Sequence, residues 1–284
     1  MYHSITFQKA GIGNKNTWDD WHLVPTSRPA IQPPDPKIVQ VDVPFSDGVL
    51  DLTNSLSDYT HFNNRTGSLE FIVVNDLYHP VQNHEEWYVT YSNVLNYLHG
   101  QKLKMILEDD RGWYYEGRFT VNEWKSDSHH STITIDYDVK PYKYSLTSTM
   151  EDWLWDPFNF ITGIIPSNSF RNITLPPPNG SSKVYVAIAV PLEEIGDAPV
   201  TPVFRCTFTH PSGTALIPYL SFQTDMVGYS SVKTYDASPE HQPIIIPELV
   251  YHKTMSASQR RIIVASDTAG YTGSLSVELR RGSL

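Results

Sequence analysis

Acidic and aromatic side chains crowd together between residues 106 and 124, in the stretch "ILEDDRGWYYEGRFTVNEW". It holds five carboxylates and several large aromatic rings, a composition typical of sugar-cleaving or metal-binding clefts. Glycoside hydrolysis needs one carboxyl group that stays protonated near neutral pH, which requires burial against an apolar wall or a closely coupled partner. The elements around these acids therefore decide whether the stretch can do chemistry.

The flanking residues alternate as two strands joined by a turn. "KLKMILED" alternates Leu103, Met105 and Leu107, "YYEGRFTVNEW" alternates in the same way, and "DDRG" between them is turn chemistry. Three neighbouring acids therefore fall at the tip of a hairpin, where we expect them to be exposed to water: Glu108, Asp109 and Asp110. Glu116 and Glu123 sit at even and odd positions of the return strand and so point to opposite faces. The sequence predicts a turn without glycosidase activity, and no enzyme.

Other catalytic or cofactor signatures are missing from the sequence. "HEEWY" lacks the second histidine of H-E-x-x-H, and no glycine-rich phosphate loop or G-x-S-x-G motif occurs. The single cysteine, Cys206, alternates in phase with Phe204 and Phe208, which predicts a core position. We expect no metal and no cofactor.

Net charge and hydropathy exclude two classes of partner. The chain carries a formal charge of −10, so it lacks the basic surface that drives nucleic-acid binding. No window approaches the roughly 18 apolar residues of a membrane span, and the start lacks the pattern of a signal peptide. We expect a protein made in a cytoplasm that inserts into no membrane and binds no nucleic acid stably.

Short alternating runs between 21 prolines and 15 glycines predict a mainly β protein. "STITIDYDV" places Ile133, Ile135, Tyr137 and Val139 on one face, as a half-buried strand does. One segment instead shows helical spacing, which predicts a single inserted helix at about 84–98 that ends near Gly100.

An aromatic but aperiodic stretch, 145–166, predicts a junction between two domains, 1–148 and 149–284. Beyond it come strand-like runs divided by proline or glycine, without a helical pattern. A β-sandwich of two sheets is the economical architecture for the second domain.

Four stretches of the first half together resemble the N-terminal domain of distal tail proteins (Dit) of long-tailed phages that infect Gram-positive bacteria. They are "NTWDDWHLVPTSRPAIQPPDPK", "DGVLDLTNSLSDYTHFNNRTGSLEF", "LHGQKLKMILEDDRGWYYEGRFTVNEW" and "IDYDVKPYKY". The resemblance covers roughly residues 1 to 145 in order. In the second half it is weaker and rests on the β texture and the final "SVELRRGSL".

The resemblance implies a structural hub at the tip of a virion tail. It implies a hexameric ring formed by the N-terminal domain and a galectin-like sandwich in the C-terminal domain. In that family the ring joins the tail tube protein to the tail-associated tip protein and can carry receptor-binding proteins.

A hub works by forming interfaces with other proteins. We therefore take as candidate interface residues the tryptophans that lie outside regular alternation and the acids of the hairpin tip. The candidate interface residues are Trp18, Trp21, Trp87, Glu108, Asp109, Asp110, Trp153 and Trp155.

Two rival functions remain open from the sequence. A carbohydrate-binding module would also be an acidic β-sandwich with surface aromatics, acting in host cell-wall recognition. No tryptophan follows Trp155, so tyrosines such as Tyr219, Tyr229 and Tyr235 would have to stack on the sugar. The second rival is a glycoside hydrolase of a tail tip.

Overall fold

The structure is a computed structural model of the 284-residue chain. It describes residues 3–55, 59–75, 79–80, 84–126, 131–151, 170–209, 217–224, 231–268 and 272–284. The architecture is mainly β, as the sequence predicts. Contacts divide the chain into one unit of residues 1–144 with Leu284 and a second unit of residues 145–283, whereas the sequence places the boundary between 148 and 149.

The first unit contains most of the long strands. Its elements are β1 (Ile5–Lys9), β2 (Gly13–Asn16), β3 (Leu23–Pro25), β4 (Gln40–Asp42), β5 (Val49–Asp51), β6 (Arg65–Val73), α1 (His84–Leu98), β7 (Gln101–Leu107), β8 (Trp113–Ser126), β9 (Ser131–Val139) and β10 (Lys143–Ser145). Seven of them form an antiparallel sheet in the order β2-β1-β7-β8-β9-β6-β3, and β10 pairs with β8.

The predicted helix is confirmed as α1, His84–Leu98. Its buried residues Trp87, Val94 and Leu98 recur at helical spacing and pack into the core of the first unit. Gly100 follows with φ of +70°, a conformation that glycine adopts without strain, and its N–H donates to the Phe119 carbonyl at 2.8 Å. This bond turns the chain directly from the helix into β7.

The predicted hairpin and half-buried strand are also confirmed. β7 and β8 pair through Met105 and Tyr115, and β9 buries Ile133, Ile135, Tyr137 and Val139. Phe7 and Phe119 meet edge to face in the core between the sheet and α1, with ring centroids 5.1 Å apart.

The second unit is built from two four-stranded sheets. Its elements are β11 (Ile173–Leu175), β12 (Tyr185–Ala189), α2 (Leu192–Ile195), β13 (Val203–Thr209), β14 (Tyr219–Gln223), β15 (Val232–Asp236), β16 (Ile244–Ile245), β17 (Arg261–Ser266), β18 (Thr272–Glu278) and β19 (Gly282–Ser283). The first sandwich sheet runs β11-β18-β13-β16, and the second sandwich sheet runs β12-β17-β14-β15. Phe204 of the first sheet lies 4.5 Å from Phe222 of the second, ring centroid to ring centroid, so the two sheets face each other across a shared core.

Cys206 lies in this core, as its alternation with Phe204 predicts. Burial raises the pKa of its thiol to about 11. The thiol is therefore protonated at neutral pH and acts as a small apolar side chain.

Candidate functional site

The three acids of the hairpin tip form a single 3-10 turn, Glu108–Asp110, between β7 and β8. The predicted turn is correct, none of the three acids is buried, and Asp109 is at an exposed position. Each of the three carboxylates also contacts a cation, and their side chains retain 16% to 34% of their accessible surface. The cations that contact Asp109 and Asp110 come from distant parts of the sequence.

Asp109 joins the beginning of the chain to the loop after β3. Its carboxylate accepts a hydrogen bond from Arg28 Nε at 2.8 Å, and His3 Nδ1 lies 2.9 Å from each of its oxygens. The bonds from His3 and then Arg28 lower the pKa of Asp109. Asp109 is therefore ionised at neutral pH, and its carboxylate connects His3, near the beginning of the chain, to Arg28, in the loop after β3.

Glu108 binds the residue that directly precedes strand β1. It accepts a hydrogen bond from the Ser4 backbone N–H at 2.9 Å and another from Arg111 Nη2 at 2.8 Å. The Ser4 backbone bond is the main reason that the pKa of Glu108 is lowered. Asp110 pairs with Lys143 at 2.6 Å, and the Lys143 ammonium lies 5.2 Å from the centre of the Trp113 ring.

Glu116 lies on β8, is partly buried and also has a shifted pKa. Burial alone would raise the pKa of Glu116, but hydrogen bonds from Lys140 and Lys102 outweigh it and lower the pKa. The Lys102 ammonium lies 3.0 Å from the carboxylate. A small cleft of about 220 Å³ surrounds this ion cluster, and its lining includes Arg118 and Asp138. A carboxylate held between two lysines is a poor general acid, because its proton is lost well below neutral pH.

The tryptophans singled out by sequence divide into three groups. Trp21 and Trp87 are buried in the core of the first unit, where Trp87 stacks on Tyr91 with ring centroids 4.9 Å apart. Their side chains are not accessible to another molecule. Trp18 is half-buried, with its ring 6.1 Å from that of His22. Trp153 and Trp155 lie outside the described residues.

An exposed hairpin is the surface that the sequence interpretation missed. We call residues 38–51 the arm: β4 and β5 pair with each other and with no other strand among the described residues. Val41 lies opposite Leu50 in the register, so these two share a face with Val39 and Val43. These four apolar side chains keep 42% to 52% of their surface exposed.

The tip of the arm adds an aromatic anchor. Phe45 is fully exposed and adopts a positive φ of 66°, an uncommon conformation for a non-glycine residue. The opposite face of the arm carries Gln40, Asp42 and Asp51 together with the exposed Val49, so it is the more polar of the two faces. The signal for it was present in the alternation of "VQVDV", which reads as a strand with one apolar face.

Two further classes of site can be addressed within the described part of the chain. No group of three or more His, Cys, Asp or Glu side chains there could hold a metal ion. No helix there is long and apolar enough to cross a membrane.

Comparison with known proteins gives little. No family model matches the chain, and no curated protein matches it. Among solved structures, the crystal structure of the SPP1 Dit (gp 19.1) protein is similar, with 12% sequence identity and a TM-score of 0.48 over 99% of both chains. That protein is described as a paradigm of the hub adsorption apparatus in phages that infect Gram-positive bacteria. An identity and a TM-score this low assign no function to the present chain.

Proposed function

We propose that this protein is a structural hub of a phage tail tip that assembles into a ring, most simply a hexamer. The resemblance of residues 1 to 145 to distal tail proteins motivates the proposal, and the exposed apolar face of the arm carries it. The partners would be further copies of the chain, the tail tube protein, the tail-associated tip protein and receptor-binding proteins. The site of action would be the virion.

The arm needs a partner for energetic reasons. An isolated two-stranded hairpin is marginally stable in water, and four half-exposed aliphatic side chains on one face forgo about 1 kcal/mol each relative to full burial. Clustered exposed apolar side chains of this kind mark interaction surfaces. An interface would supply the missing burial and would fix the arm in one conformation.

A neighbouring copy of the chain is the occupant that we favour. An arm that leaves its own unit and packs on a different surface of the next copy makes a head-to-tail contact, and such contacts close into rings when the rotation allows. Phe45 at the tip would act as the central anchor of that contact, because aromatic side chains dominate interface energies.

Two acids of the hairpin tip and Glu116 of β8 have a structural role in this proposal. Asp109, Glu108 and Glu116 are ionised and engaged by cations, so we propose that they stabilise the first unit and that the protein has no enzymatic activity. The formal charge of −10 on each chain favours passage of DNA through a ring without stable binding.

Light scattering coupled to size exclusion tests the proposal across a range of protein concentrations. We expect a species of six times the 32.3 kDa chain mass at high concentration, in equilibrium with smaller species on dilution. If the protein is a monomer at every concentration, also in the presence of tail partners, the proposed ring is wrong.

A further inference from the structure

We infer that a basic patch on the outer face of the sheet of the first unit receives the tip of the arm of a neighbouring copy. The inference rests on the proposed ring and names the surface to which the arm binds. The patch consists of six charged residues at adjacent positions of β7, β8 and the end of β9. They form two rows across the strands: Lys104, Glu116 and Lys140, then Lys102, Arg118 and Asp138.

The side chains of the patch point away from the core. Leu103 and Phe119 alternate with them along β7 and β8 and are buried, so the patch lies on the opposite face of the sheet. That face is open at the patch. The side chains of Lys102 and Lys140 retain 56% and 47% of their accessible surface, and Arg118 is exposed. A group of another molecule can therefore reach these cations.

The patch is positively charged in an acidic protein. Its four cations outnumber its two carboxylates, which gives it a formal charge of +2 in a chain of −10. Glu116 engages Lys102 and Lys140, and Arg118 donates to the Gly100 carbonyl at 2.9 Å. An ammonium has three N–H donors and a guanidinium has five, so these contacts leave donors for a further acceptor. A cleft of about 220 Å³, lined by five of the six residues, has room for a carboxylate.

The tip of the arm has the complementary chemistry. Residues 38–51 contain Asp42, Asp47 and Asp51 but no lysine, arginine or histidine, so the arm has a formal charge of −3. Asp47 lies in the turn between β4 and β5, two residues after Phe45, and both are exposed. A carboxylate pairs with cations, and the face of an aromatic ring attracts a guanidinium. Both side chains at the tip thus favour a basic surface.

A second copy of the chain is the occupant, because every copy offers both the tip and the patch. These are different surfaces of the same unit, so their contact between copies is head-to-tail, as a ring requires. Exposed ion pairs contribute little free energy each. The patch therefore fixes how the arm docks, whereas the apolar face of the arm supplies most of the affinity.

Carbodiimide cross-linking of a mixture of unlabelled and ¹⁵N-labelled full-length chains tests the contact. The reagent joins a carboxylate directly to an amine that lies against it, so it reports only close pairs. We expect mass spectrometry to find peptides that join Asp47 to Lys102, Lys104 or Lys140. One peptide of the pair should be labelled and the other unlabelled, which identifies a link between two copies.

Charge exchange tests whether the two surfaces recognise each other. Asp47→Arg and Arg118→Glu should each raise the apparent dissociation constant of the assembly by about tenfold, measured by light scattering at low salt. The double variant should recover most of this loss, because the charges are then exchanged rather than removed. Asp42→Arg makes the same change in strand β4 of the arm and is the matched control, which Arg118→Glu should not rescue. All three positions are exposed, and the melting temperature checks that each variant is folded.

Two results would overturn the inference and leave the proposed ring intact. One is a ring that forms without any link between Asp47 and the patch. The other is a double variant that assembles no better than Asp47→Arg and Arg118→Glu do separately. A wild-type chain that stays monomeric at every concentration, also with tail partners, would instead contradict the ring and this docking together.

Discussion

Asp109 and Arg28 are 81 residues apart in sequence, yet the Asp109 carboxylate accepts a hydrogen bond from Arg28 Nε at 2.8 Å. His3 approaches the same carboxylate from the beginning of the chain. A residue that composition places in a cleft therefore fastens two loops to a hairpin turn. The carboxylate of the neighbouring Glu108 accepts a hydrogen bond from the backbone N–H of Ser4 and so attaches the residue before β1 to the same turn.

These contacts predict a loss of stability in acid. The folded-state pKa of Asp109, Glu108 and Glu116 is lowered, so their contribution is present above the unfolded-state pKa of about 4 and is lost as the pH falls through the folded-state value. We expect the urea midpoint of the first unit to fall between pH 5 and about 3. Tryptophan fluorescence reports it, since most tryptophans lie within residues 1–144.

Asp109→Asn should lower the urea midpoint at pH 7, and its difference from the wild type should shrink as the pH falls through the lowered folded-state pKa of Asp109. Asp42→Asn, on the exposed arm, is the control and should have no effect at either pH. A constant difference between Asp109→Asn and the wild type at all pH values would show that the charge of Asp109 is not what stabilises the turn.

The absence of glycosidase activity is the second prediction. Glu116 is held between Lys102 and Lys140 and stays ionised, and the pKa values of Glu108 and Asp109 are also lowered, so none of these three can donate a proton near neutral pH. Incubation with host cell-wall polysaccharide should release no reducing ends above a heat-inactivated control. Release that disappears in Glu116→Gln would reverse this interpretation.

The third prediction concerns independent folding of the second unit. Buried Thr149 donates to the Val277 carbonyl at 2.7 Å and accepts from the Leu279 N–H at 2.9 Å. We expect a fragment of residues 145–284 to melt cooperatively, and Thr149→Val to lower its free energy of unfolding by about 1 to 3 kcal/mol. Thr207→Val makes the same exchange at an exposed strand position and should cost less than about 0.5 kcal/mol. An aggregating fragment would mean that the sandwich depends on the first unit.

The fourth prediction follows from the thiol of Cys206. Burial raises its pKa to about 11, so a thiol reagent should not label the native protein at pH 7 within the time that labels an unfolded control. Labelling in urea should follow the unfolding of the second unit. Rapid labelling of the native protein would show that the core around Phe204 opens readily.

The sequence was sufficient for elements that periodicity defines and insufficient for contacts between distant residues. The helical spacing of Trp87, Val94 and Leu98 predicted α1, and alternation predicted β7, β8 and β9. The partners of Asp109 could not be foreseen, because no local pattern relates residues 3, 28 and 109.

The candidate interface illustrates the same division. Large aromatic side chains serve cores and interfaces equally well, so the sequence could not tell that Trp21 and Trp87 are buried. The arm was visible as alternation, but a strand pattern does not reveal whether its apolar face is covered. Only the fold shows that the face of Val41 and Leu50 is exposed.

The assembly mass of an arm variant tests the central claim most directly. Val41→Ser with Leu50→Ser removes the apolar face, and Gln40→Ser with Asp42→Asn changes the opposite face as a control. Light scattering at one high concentration should find the ring in the wild type and the control, and a folded monomer in the apolar-face variant. A ring of unchanged mass in that variant would contradict the account, because the arm would then take no part in assembly.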